Sequence, residues 1–238
     1  MRAIWNTLLL SICISTSLSA GNLKDFFSKA NHFFEKHVEN GLVNYKAIQK
    51  DGTTLEVLVE EIAAIKPDKL SKNEQKAFYI NSYNLFVIKN IISYYPISSP
   101  LDKESFFNGD SFVMGGKKIT LNDLENKIVR PTYKDARFHF VLVCGALGCP
   151  PIIAEAYTPE NVNALLDKQT TVALNDPSFI KVTGKKVALS EILKWYRDDF
   201  GNSDAQIIDY INRFRTEPLA SDSELSYYSY NWKTNEKK

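Results

Sequence analysis

The stretch that opens at Ser71 constrains the fold of this chain most. Ser71 with Glu74 three positions on makes a capping box, which starts a helix there. On a 100° wheel Phe78, Leu85, Ile88 and Ile92 fall on one arc, the face such a helix must bury. Asn81 and Asn84 fall inside the same arc, so two amides point at the core. A buried amide left without partners costs about 1–3 kcal/mol. Each asparagine is therefore expected either to hold loop backbone or to line a site.

Helical periodicity also runs over residues 23–38, from Tyr45, over residues 54–64 up to the break at Pro67, over residues 158–173, and from Ser203. Two segments look like copies of one device. Residues 112–119 read as a hairpin turning at Gly115-Gly116, then a helix over residues 121–129 that Thr120 can cap. Residues 179–187 turn at Gly184 and lead into a helix over residues 191–200, capped by Ser190 and closed by Gly201. The match of GKKITLNDLE to GKKVALSEIL is read as a reused hairpin–helix corner. The aromatic tail 227–232 is expected to add an edge strand. No linker or low-complexity tract divides residues 21–238. The expectation is one α+β domain, predominantly helical, with short β-hairpins and a small sheet.

The first 20 residues read as a signal peptide. Arg2 gives a basic start, Leu8-Leu9-Leu10 lies in a short apolar run, and Ser17-Leu18-Ser19 supplies the small-x-small pattern before a cut expected after Ala20. The run is too short for a bilayer, which takes about 20 apolar residues. Cys13 follows Ile12, which is not the small residue a lipoprotein signal needs. Export to the periplasm or medium is the expectation, with no transmembrane anchor. Loss of Arg2 balances the 29 basic against the 28 acidic residues of the whole chain, so nothing argues for a nucleic-acid partner. A chain that is 44% hydrophobic and 12% aromatic can build a real core.

Three residue types invite a chemical reading. Glu125 sits near the middle of the apolar arc made by Leu121, Leu124, Ile128 and Val129, so its carboxylate must be paired or neutralised. Arg130 or Arg137 is the plain partner, and His139 the one that would make a catalytic pair. Cys144 ends an apolar run just before a glycine, where a chain can turn and expose a side chain. A helix starting there would favour the thiolate. An inert thiol, or a disulfide to Cys149, is the plain alternative in an oxidising compartment. On a straight strand, His139 and Cys144 would be about 16 Å apart. On a helix they would be about 7.5 Å apart. Neither geometry joins them. Two cysteines and one histidine fall short of a zinc site. C-x4-C is not a thioredoxin motif, and neither a phosphate loop nor a G-x-S-x-G elbow occurs. Asp198-Asp199, at a helix end, reads as a solvated face. No metal or cofactor is expected.

HFVLVCGALGCPP, AFYINSYNLFVI, ITLNDLENKIVR, LSEILKWYRDDFG and SYNW together resemble the domain-of-unknown-function 547 family, over roughly residues 43–232. The resemblance implies that Asn81, Asn84, Glu125, Arg130, His139, Cys144 and Cys149 are signature positions. Asn126 stands where a histidine is expected, and Asn231 where an aspartate is expected. No activity is established for most members.

Two functions are weighed. In one, the chain is an exported thiol-dependent hydrolase or acyl transferase acting on a peptide or small thiol peptide, papain-like in a permuted order. Cys144 is then nucleophile, His139 base and Glu125 its orienter, while Asn81, Asn84, Arg130 and Cys149 contact substrate. In the other, it is a non-catalytic binding or scaffold domain with a Cys144–Cys149 disulfide.

Overall fold

The computed structural model describes the backbone of residues 15–238 and the side chains from residue 23 onward. The apolar run read as part of a signal peptide and Cys13 lie outside the described residues. The expected cut at Ala20 falls within the backbone of the first helix, α1 (Ser15–His37).

The architecture is α+β and mostly helical. After α1 comes a two-residue hairpin, β1 (Val38–Glu39) and β2 (Leu42–Val43), whose turn residues Asn40 and Gly41 both have positive φ. This is the left-handed geometry that an Asn-Gly pair favours. Helices α2 (Tyr45–Lys50) and α3 (Thr53–Ala64) lead to α4 (Lys72–Ser93), with Glu74 accepting the Ser71 N–H at 2.7 Å as the capping box requires. Nearly every residue of α4 between Ala77 and Ile91 is buried, so the helix is the axis of the larger core.

That burial explains the asparagines. Asn81 donates to the Tyr157 carbonyl at 2.7 Å and accepts the Tyr157 N–H at 3.0 Å. Asn84 donates to Val141 O at 3.0 Å and accepts from Val143 N at 2.9 Å. Each amide thus mimics a strand neighbour for a loop that has none. Asn84→Leu leaves a buried carbonyl and N–H unpaired beside the site. It is expected to destabilise the protein by about 2–4 kcal/mol, read as a lower urea midpoint at unchanged slope.

Helix α5 (Ser105–Asn108) precedes the first hairpin, β3 (Ser111–Met114) and β4 (Lys117–Thr120), paired Phe112 to Ile119 as expected. The chain after β4 departs from the simple helix expected over residues 121–129. A single α-turn, α6 (Leu121–Asp123), opens into a π-helical turn (Leu124–Val129) and then α7 (Arg130–Tyr133). The Arg130 N–H bonds five residues back to the Glu125 carbonyl. Pro131 supplies the physical reason: it has no N–H, and its ring would strike the carbonyl four residues earlier. Such widened turns recur at functional sites.

A 3-10 turn (Ala136–Phe140) and an irregular loop then run to α8 (Val162–Asn175). The second hairpin, β5 (Ile180–Thr183) and β6 (Lys186–Ser190), is likewise where the sequence put it, but the helix after it is two short pieces, α9 (Ile192–Trp195) and α10 (Arg197–Phe200). Helix α11 (Asp204–Asn212) comes next. A strand does form near the tail, but earlier than the expected 227–232: β7 (Glu224–Tyr228) lies parallel to β6. This sheet and α9 to α11 enclose a smaller second core. Cys149 packs against both cores, so the cysteine loop lies at their junction. Among the described residues, no helix is long and apolar enough to cross a membrane.

Candidate functional site

At that junction a cavity of about 180 Å³ opens to solvent. Four of the residues singled out by sequence line it together: Glu125, His139, Cys144 and Cys149. Phe107, Trp195, Tyr196, Tyr230 and Trp232 supply half of the remaining wall. Asn81 and Asn84 are not among the lining residues; their hydrogen bonds go to loop backbone. Arg130 lies outside the cavity too, in a polar groove with Lys134 and Asp198.

His139 and Cys144 meet one wall because the chain between them is neither strand nor helix. Lys134 ends α7 in the left-handed conformation, Asp135 caps the 3-10 turn by accepting the Arg137 N–H, and His139 rides on that turn. No helix begins after Cys144, so the expected helix N-terminus is absent; residues 144–149 form a tight loop. The Cys144 and Cys149 sulfurs are joined as a disulfide, their Cα atoms 6.4 Å apart. Cys149 Sγ accepts the Cys144 N–H at 3.0 Å and the Tyr230 hydroxyl at 3.0 Å, and the same hydroxyl lies 3.2 Å from Cys144 Sγ.

The far end of the chain holds this loop in place. Leu147 N donates to Lys233 O at 2.7 Å, Gly148 N to Asn231 O at 2.8 Å, and Asn235 N to Gly145 O at 3.0 Å. A Cβ on Gly148 would come within 2.9 Å of Asn231 N and of the Tyr230 ring. Gly148→Ala is therefore expected to push the tail off the loop and lower the melting temperature by several degrees, about 1–3 kcal/mol.

The imidazole is clamped between two carboxylates. His139 Nε2 lies 2.7 Å from Asp199 Oδ2, while Nδ1 lies 3.8 Å from Glu125 Oε1 and has no hydrogen-bond partner. The ring stacks on Tyr196 with centroids 4.0 Å apart, and the Arg130 guanidinium sits 4.8 Å over the same tyrosine. Arg130 also donates to Asp199 at 2.7 Å and to Asn126 at 2.6 Å. Asn126, at the position where the family resemblance expects histidine, thus braces Arg130. Of the partners considered for Glu125, neither arginine binds it: Arg137 goes to Asp135 and Asp167. Tyr83 donates to Glu125 at 3.1 Å, and His139 faces it.

Asp199, at a helix end where the sequence suggests a solvated face, is instead part of the site. The His139 hydrogen bond, and after it that of Arg130, holds its carboxyl far below the ordinary carboxylate range. Burial pushes the Tyr83, Tyr196 and Tyr230 hydroxyls well up, with the Glu125 charge adding to each, so all three stay donors at neutral pH. A depressed folded-state carboxyl contributes stability above its unfolded value, near pH 4, and loses it as pH falls through the folded value. Asp199→Asn is expected to cost about 1–3 kcal/mol at pH 7. The gap to wild type should shrink in melts taken from pH 4 downward. Among the described residues, no three His, Cys, Asp or Glu side chains converge as metal ligands would.

No curated protein matches the chain. No solved structure matches it either, so the papain-like order stays an expectation. A family model does match, over residues 67–174, a stretch that holds all seven signature positions but not Asp199, Tyr196, Tyr230 or Trp232. Residues 67–174 match the family model described as "Protein of unknown function, DUF547".

Proposed function

We propose that the protein is a thiol-dependent hydrolase or acyl transferase, exported, that acts on a peptide or small thiol peptide. One observation carries this reading: a carboxylate, an imidazole and two sulfurs line the same solvent-reachable cavity. The disulfide makes the described state a resting one. A small thiol or dithiol restores the nucleophile in two exchanges. The first thiolate attacks Cys144 Sγ, and the electron pair leaves on Cys149 Sγ, where the Cys144 N–H and Tyr230 O–H stabilise it. A second thiolate frees Cys144 and departs as the oxidised disulfide. His139 then takes the Cys144 thiol proton, the thiolate attacks the acyl carbon, and the amine leaves with that proton. Water or an acceptor thiol cleaves the thioester and returns Cys144 to its thiol. Asp199 holds the ring through Nε2, and Glu125 flanks Nδ1.

A panel of dipeptide coumarin amides, free and N-acetylated, tests this. Turnover that appears on reduction with a dithiol and vanishes again on reoxidation is expected. Silence in both states, for amides and thioesters alike, overturns it. The second reading, a binding domain with a structural disulfide, draws on the joined sulfurs and on ring nitrogens that face carboxylates rather than sulfur.

A further inference from the structure

The cavity wall is lopsided in charge. Glu125 is its carboxylate, and no lysine or arginine lines it. The Arg130 guanidinium, which sits over the lining Tyr196, is spent on Asp199 and Asn126. Six aromatic side chains, counting Tyr83, line the cavity beside Asn122, Asn126, Leu142 and Ile192, and aromatic faces carry partial negative charge. At the rim Trp195, 44% exposed, stacks on Trp232 with centroids 5.6 Å apart. A carboxylate or phosphate ligand would meet the Glu125 charge with no cationic side chain on the wall to offset it.

At the floor Tyr83 donates to Glu125 Oε2, but His139 Nδ1 has no hydrogen-bond partner. Asp199 offers only acceptors, so Nε2 of His139 carries the proton between them. Nδ1 faces Glu125 Oε1 at 3.8 Å, too far for a hydrogen bond between them. A buried acceptor without a donor is costly. An ammonium group beside Glu125 pairs with its carboxylate, and the aromatic wall stabilises the same charge. At about 180 Å³ the cavity is smaller than the 300–1,000 Å³ of drug-sized sites, so it takes one residue rather than a whole ligand.

We propose that the cavity receives the free amino terminus of a peptide, its α-ammonium on Glu125 and its first side chain against Trp195, Tyr230 and Trp232. This deepens the hydrolase reading by naming the substrate end that the site grips, and it rests on that cavity being the substrate site. Binding is read without turnover. A protein that binds as described but never cleaves overturns the catalytic reading and leaves this inference standing.

The test is a titration of the native full chain, followed by tryptophan fluorescence and calorimetry. The probes are alanyl-alanine amide, its N-acetyl and N-succinyl analogues, and Nα-acetyl-lysine methylamide. The free α-amine is expected to bind at least about tenfold tighter than the acetylated probe, and the succinylated probe weakest. Glu125→Gln should erase that preference. Trp195→Ala, at a part-exposed rim position and with its melt confirming a folded variant, should weaken the free amine about threefold. Equal binding of acetylated or succinylated probe, or a preference that survives Glu125→Gln in a folded variant, overturns the proposal. Tighter binding of the lysine side-chain amine overturns the amino-terminal assignment.

Discussion

Cys144→Ser is expected to lower the turnover of the reduced protein at least about 10³-fold, since a nucleophile removed from a catalytic unit leaves only binding and polarisation behind. Cys149→Ser should behave in the opposite way. It removes the partner that locks Cys144 in the disulfide, so activity becomes independent of added dithiol. It also deletes the sulfur that accepts the Cys144 N–H and Tyr230 hydroxyl, and a serine oxygen can accept both in its place. Steady-state rates of both variants, with and without dithiol, separate the roles. Equal loss in both would mean that the disulfide, not the thiol, is what function needs.

The second large effect concerns the end of the chain. Deleting residues 230–238 removes Tyr230 and Trp232 from the cavity wall and cuts every tail bond to the cysteine loop. Asn235 also reaches across the molecule, accepting the Val43 N–H at 2.9 Å and the Tyr45 hydroxyl at 2.7 Å. Several hydrogen bonds at about 0.5–1.5 kcal/mol each, and a buried Tyr230, sum to a loss on the order of 5 kcal/mol. That is a large share of a typical domain's stability. The truncated chain is expected to melt far lower or fail to accumulate. Asn235→Ala, which keeps the cavity wall, should fold with a loss of about 1–3 kcal/mol, measurable in urea. A truncation that melts like the whole protein would show the tail to be an ornament of the site rather than part of its frame.

Local periodicity made much of the fold legible. Asn81, Asn84 and Glu125 were readable as buried because a 3.6-residue repeat assigns each position a face, and both hairpins announced themselves through glycine turns. The signals failed where a contact spans the chain. Asp199 beside Asp198 at a helix end has no local mark of burial, and its partner His139 is 60 residues away, so it reads as a solvated face. The π-turn at Glu125 escaped because regular templates have no place for it, although Pro131 was the available sign. The convergence of His139 and Cys144 was hidden for the same reason: strand and helix both hold them apart, and a 3-10 turn leading into a tight loop does not. Tyr230 and Trp232 read as a strand edge, whereas the chain leaves the sheet after Tyr228 to cover the cavity.

Trapping the covalent intermediate tests the mechanism most directly. Protein reduced with a dithiol is mixed with an amino-terminally free peptide thioester, quenched in acid within milliseconds and weighed intact, and the modified peptide is then mapped. A single acyl adduct on Cys144, missing from oxidised protein and from His139→Ala, is the predicted result. An unchanged mass after reduction, or an adduct carried by Cys149 alone, would contradict it.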